Sequence, residues 1–160
     1  MSHEPATTQA PRRRTGLRSA LVPTIFTRII DGEIPGRFVW RDDRAVAFLD
    51  VRPLSPGHAL VVPIAEVDQW TDLPADLAAH LMTVAHALGN AQRAAFDAPR
   101  VGLMIVGFEV PHVHIHVMPT RSMADFDFRN ANTSPDQDEL DRNAERLRAA
   151  LRSAGHKSVA

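Results

Sequence analysis

Three of the eight histidines in this 160-residue chain fall within five positions, His112-Val113-His114-Ile115-His116. In an extended segment alternate side chains point to opposite sides, so the three imidazoles share one face while Val113, Ile115 and Val117 turn toward a core. Rings that titrate near neutrality oppose one another's charging, so such a cluster holds neutral and protonated imidazoles side by side. A neutral ring can attack an electrophile, and a protonated neighbour can donate a proton. The same spacing leaves two other uses open. One is the polar face of an amphipathic strand; the other is a metal site in which two histidines two apart are joined by a third, such as His58.

The rest of the chain limits the setting of that chemistry. Eighteen Lys and Arg against nineteen Asp and Glu leave a net charge of −1. No general field draws in nucleic acid or an anionic membrane, and any recognition of phosphate must be local. With no cysteine there is no disulfide framework, no thiolate zinc site and no cysteine nucleophile, and a reducing cytoplasmic compartment is expected. The longest apolar runs, such as Ala59 to Ile64, fall short of the ~20 residues of a membrane-spanning helix. The balance of 44% hydrophobic and 23% charged residues is that of one ordinary globular domain.

The elements that must position the histidines follow from periodicity and punctuation. Residues 1–22, rich in Thr, Pro, Arg and Ala, are expected to form a flexible arm. Ile25, Phe26, Ile29 and Ile30 recur at helical spacing and stop at Asp31-Gly32. Phe38 to Arg41 and Ala45 to Asp50 predict a hairpin, and the nearly all-apolar stretch His58 to Pro63 predicts a strand covered on both faces or packed tightly under helices. Leu77, Leu81, Val84, Leu88 and Ala91 predict a helix from Pro74 to about Phe96. His80 and His86 on it are read as structural or exposed. Val101 to Val106 and His112 to Met118 predict two antiparallel strands joined by Gly107 to Pro111. Ser134-Pro135-Asp136-Gln137 predicts a capping box, followed by a helix with Leu140, Ala144, Leu147 and Leu151 along one stripe. The fold class is α+β, with an antiparallel sheet of about five strands, a long central helix and a C-terminal helix.

Taken together, Pro111-His112-Val113-His114-Ile115-His116-Val117-Met118-Pro119 resembles the signature of the histidine triad (HIT) nucleotide hydrolases and transferases, in the form usual for bacterial members. Three further blocks resemble the family's N-terminal motifs in the same order. They are Ile25-Phe26 with Ile29-Ile30 and Gly32-Glu33-Ile34-Pro35, then Ala47-Phe48-Leu49-Asp50, then Pro56-Gly57-His58 through Pro63. The likeness spans about residues 24–122. It implies His114 as the nucleophile that attacks an α-phosphorus and becomes nucleotidylated, with His112 and His116 orienting it and stabilising charge on the phosphoryl oxygens. It implies Asp50 as the acid that accepts hydrogen bonds from ribose hydroxyls, His58 in a supporting role near the phosphate, and Phe26, Ile30, Ile34 and Phe48 as an apolar slot for the base.

By the same resemblance the substrate is an AMP-like purine nucleotide derivative, such as a phosphoramidate or a dinucleoside polyphosphate. No metal or other cofactor enters the chemical step, and the protein is a homodimer in which Arg121 to Phe128 could reach the neighbouring site. The domain boundaries read as 1–22 arm, 23–130 HIT domain and 131–160 C-terminal helix and tail. Two departures stand out. The block Thr24-Ile25-Phe26-Thr27 lacks the cysteines through which some members bind structural zinc. The segment Val106-Gly107-Phe108-Glu109-Val110 is short and has Phe108 where a glutamine is usual. That second departure keeps open a nucleotide-binding or regulatory protein with little turnover, beside the metal hydrolase alternative.

Overall fold

The computed structural model describes residues 22–160; the arm expected over residues 1–22 lies outside them but for Val22. The sheet is built from β1 (Phe38–Arg41), β2 (Ala45–Leu49), β3 (Ala59–Pro63), β4 (Arg100–Ile105) and β5 (Ile115–Thr120). Its strand order is β1-β2-β3-β5-β4, and every neighbouring pair is antiparallel. Three α-helices, α1 (Ile25–Ile30), α2 (Ala75–Ala95) and α3 (Gln137–Ser153), complete the α+β architecture.

Alternation along the central strands divides the core in two. Ala59 and Val61 of β3, with Val113, Ile115 and Val117, pack under the apolar stripes of α2 and α3. Leu60 and Val62 of β3, with Val46 and Phe48 of β2, face the other way and pack against Phe26, Ile29 and Ile30 of α1. Both faces are therefore covered, which is why every residue of β2 and β3 is buried and why β3 carries no polar side chain. The odd residues of the 113–117 segment occupy the α2 side, and the histidines are left facing α1.

The two edges of the sheet differ. Along β1 the C-terminal tail adds backbone hydrogen bonds, Arg41 N–H to the Ser158 carbonyl and Ala160 N–H to the Val39 carbonyl, so this edge is covered by the chain itself. β4 forms the other edge and leaves Leu103 exposed. No helix among the described residues is long and apolar enough to cross a membrane.

Two expectations need correction. The C-terminal helix is capped by the Asp136 side chain, which accepts from Asp138 N–H, and not by Ser134. Ser134 instead gives its N–H to the Asn132 side chain, so the chain is still turning at that point. The strand expected from His112 enters the ladder only at Ile115. Before that, His112 N–H bonds the Val110 carbonyl and Val113 N–H bonds the Val67 carbonyl, which ties these residues to loops instead of strands.

Leu147 and Leu151 are wholly buried where α3 meets the core. Truncation to alanine removes burial and leaves a void, so Leu147→Ala should lower the free energy of unfolding by about 2–5 kcal/mol, measured as a shift in a urea titration.

Candidate active site

β5 and the residues leading into it deliver His112, His114 and His116 to the α1 side of the sheet, and all three are buried. His58, at the entrance to β3, is buried beside them. Phe26, His114, His116 and Phe128 form a row of rings in successive edge-to-face contact, with centroids 4.9, 5.0 and 5.1 Å apart. Such contacts hold imidazoles in fixed orientation without charging them.

Hydrogen bonding assigns the protons of neutral rings. A carbonyl can only accept, so the 2.7 Å contact between His114 Nδ1 and the His112 carbonyl places the proton on Nδ1 and leaves a lone pair on His114 Nε2. His112 Nε2 donates to the Pro63 carbonyl at 2.8 Å, which leaves its Nδ1 to accept from the Thr24 hydroxyl at 2.9 Å. Thr24 is also the N-cap of α1 and accepts from Thr27 N–H. Its own N–H, together with the Thr27 hydroxyl, bonds the Glu66 carboxylate. His58 Nδ1 accepts from Leu54 N–H at 3.1 Å, so its Nε2 donates to His116 Nδ1 at 3.0 Å. The proton of His116 then resides on Nε2.

Burial reinforces these assignments. It pushes the His58 imidazolium down to about 4. For His116 burial acts first and the neighbouring His58 and His114 add to it, giving about 3. His112 is lowered as well, chiefly by burial. Asp50 is raised by burial, against the opposing backbone N–H and guanidinium of Arg52.

A cavity of about 320 Å³ opens over His114 and His116, within the ~300–1,000 Å³ range of small-molecule sites. Of the nucleotide-site residues expected from the sequence, Phe26 and Asp50 line it with these two histidines. His112 lies behind His114 and touches the site through its backbone carbonyl. His58 lies behind His116. Ile30, Ile34 and Phe48 belong to the apolar cluster under α1 and back Phe26, with the Phe26 and Phe48 centroids 5.7 Å apart, because the inner face of so short a helix is consumed by the sheet. Phe128, expected to reach toward a neighbour, packs on His116 of its own chain.

The remaining wall includes residues to which the sequence assigned no role in the site, among them Ile25, Val51, Arg52, Leu60 and the segment Val106 to Val110. Phe108 is 94% exposed at its mouth, and Arg52 pairs with Glu109 at 3.0 Å across the rim. A smaller cavity of about 130 Å³, bounded by Asp68, Gln69 and Trp70, also reaches His114 from the other side of Val106 to Phe108. The Thr24 cap carried a sequence signal, since threonine stands immediately before the helical repeat; Glu66 carried none. His80 bonds Asp42 and the exposed His86 bonds Asn90, both remote from the cavity.

Asp50, His58 and His116 bring one oxygen and two nitrogens within 4.8 Å of one another, close enough to hold a cation. The protonation pattern does not suit that use. Leu54 N–H occupies the Nδ1 lone pair of His58, so the nitrogen facing the group carries a proton. A cation there would force two N–H groups together or strip the ring of its last proton.

The HIT domain model matches residues 31–123, more than half of the chain, and the protein belongs to the HIT family. An uncharacterised HIT-like protein from Methanocaldococcus jannaschii is 35% identical over 99 residues, which is 59% of this chain and 77% of the relative. A zinc-bound histidine triad family protein from Mycobacterium smegmatis superposes with a TM-score of 0.71 at 28% identity, covering 82% of this chain and 94% of that one. A hypothetical histidine triad nucleotide-binding protein from Sulfolobus tokodaii gives 0.70 at 25% identity, covering 82% and 94%. Family membership supports a nucleotide-binding or hydrolase-like role.

The buried His58–His116 pair makes stability depend on pH. In the unfolded chain each ring charges below about 6.5, whereas folded His58 stays neutral to about 4 and His116 to about 3. Between these limits the unfolded chain binds more protons, so the pair's contribution is complete above about 6.5 and is lost as the pH falls through that window. Urea titrations at a series of pH values should show the decline, and His58→Gln should flatten it.

Proposed function

We propose that this protein hydrolyses a purine nucleotide derivative at its α-phosphorus, through an intermediate nucleotidylated on His114. The observation that carries the reading is the bond from His114 Nδ1 to the His112 carbonyl, which leaves Nε2 with a lone pair in a ring that lines the cavity. The His114 Nε2–P bond forms as the bond from phosphorus to the leaving group breaks, and the leaving group departs with that electron pair and takes up a proton from solvent. Water then forms a new P–O bond, the P–Nε2 bond breaks, and a nucleoside monophosphate departs while the water proton passes to solvent or to a ring nitrogen. His116 Nε2–H donates to a non-bridging oxygen where negative charge develops, and His58 serves it from behind. Asp50 receives the ribose hydroxyls, and the base lies against Phe26, supported by Ile30, Ile34 and Phe48. The candidate substrates are nucleoside phosphoramidates and dinucleoside polyphosphates, met in the cytoplasm.

Partner choice follows the same reading. The protein forms a homodimer, for which the β4 edge, with Leu103 exposed and no strand beyond it among the described residues, offers a surface.

One observation favours slower chemistry. Val106 to Val110 brings an exposed Phe108 to the rim, and its one charged side chain, Glu109, is tied to Arg52, so no side-chain donor from this segment addresses a phosphate. The second reading is thus a nucleotide-binding, regulatory protein with little turnover. Titration calorimetry with AMP beside a turnover assay on an adenosine phosphoramidate separates the two. For the hydrolase, His114→Asn reduces turnover to background and keeps AMP affinity close to wild type, and mass spectrometry of quenched wild type finds nucleotide on His114. Tight AMP binding with no turnover by the wild type would leave the regulatory reading standing.

A further inference from the structure

Gln92 of α2 is completely buried, yet it belongs to no motif and lines neither of the two cavities described above. Its side-chain amide donates to two backbone carbonyls, Gly57 at 2.9 Å and Val117 at 2.8 Å. Because both partners can only accept, the amide orientation is fixed, and its Oε1 is left without a partner among the described residues. A polar side chain buried with one atom unpaired is costly, so its two donated bonds must meet a definite need. The β3–β5 ladder ends at Ala59 opposite Val117, and Gly57 lies just beyond it. The Gln92 amide acts as an added rung at the place where backbone pairing stops. Gly57 precedes His58, and Val117 follows His116. One helical turn further on, Phe96 presses on Gly57 so closely that a Cβ there would overlap its ring, and the positive φ of +85° also requires glycine.

We propose that Gln92 is a positioning residue for the histidine pair. By tying the Gly57 and Val117 carbonyls together from α2, it holds His58 Nε2 within 3.0 Å of His116 Nδ1, which keeps the proton of His116 on Nε2. The use of that proton on a phosphoryl oxygen rests on the function proposed above; the geometric claim does not. The titratable groups facing His116 are His58, His114 and Asp50, and none of them is altered by changing Gln92.

The test is Gln92→Met, which keeps the length of the side chain and removes both donors. Long-range nitrogen–proton correlation spectra of the histidine rings, recorded over a pH series, report the tautomer and midpoint of each ring without any substrate. Wild type should show His116 as the Nε2–H form and uncharged above about pH 5. In the variant, His116 should become a mixture of tautomers with its midpoint raised by about one unit or more, as expected when a buried contact loosens. With an adenosine phosphoramidate, kcat should fall about tenfold with KM nearly unchanged. If the methionine variant does not fold, Gln92→Asn keeps the amide but falls one methylene short, and it should show the same displacement in smaller degree. A folded variant with an unchanged His116 tautomer and midpoint overturns the proposal, even if it melts earlier; so does a wild type whose His116 carries its proton on Nδ1. A wild type that shows the NMR behaviour but no turnover leaves the positioning claim intact and removes the hydrolase reading instead.

Discussion

Burying imidazole rings without charging them is the constraint around which this molecule is organised. His58, His112, His114 and His116 all lie within the sheet's α1 layer, and a buried neutral ring has one nitrogen that must donate and one that must accept. The fold supplies partners of matching sense. Three of the five internal contacts that define the tautomers are to backbone, from His112 to Pro63, from His114 to His112 and from Leu54 to His58. Backbone partners cannot rotate or ionise, so the resulting assignments are as rigid as the strands that carry them. Among the described residues, only His114 Nε2 and His116 Nε2 have no hydrogen-bond partner, and they belong to the two rings that line the cavity.

The layers on either side make this economical. α2 and α3 occupy one face of the sheet and take up the aliphatic alternate residues of the 113–117 segment. α1 is only six residues long and covers the other face incompletely, which leaves room for a cavity above His114 and His116. Its N-cap threonine satisfies the helix start and His112 with a single hydroxyl, and Glu66 anchors the threonine pair. In this chain the block Thr24 to Thr27 is joined to the triad by a hydrogen-bonded chain that ends on a carboxylate. α1 is thus tied to the triad by polar contacts of the kind that also orient the rings.

Much of the fold was legible in the sequence. The five strands and three helices occur close to the expected positions because they are strongly patterned and most are flanked by Pro, Gly or Asp. The α3 cap was misplaced since Ser134 and Asp136 are both competent caps two residues apart, and only the path of the loop decides between them. His112 and His114 proved to precede the ladder because Val67 and Val110 claim the backbone there, a competition between distant segments that local pattern does not register. In the site, the motif histidines, Asp50 and Phe26 were visible as residue types at fixed spacing. Leu60, Val51, Phe128 and Arg52 reach the cavity through chain paths that converge from separate parts of the sequence.

The sequence by itself determined the alternation of imidazole and aliphatic residues over 112–117, a period-two pattern that the structure keeps although His112 and Val113 bond loops and the ladder begins at Ile115. It therefore settled that three imidazoles would lie opposite three aliphatic residues. Tertiary structure alone decided which of those rings meets the cavity, which nitrogen of each bears its proton, and that a glutamine on α2 holds the ends of two strands together. Those outcomes depend on hydrogen bonds between groups as far apart in the chain as Thr24 and His112, and such pairings exist only once the layers have closed.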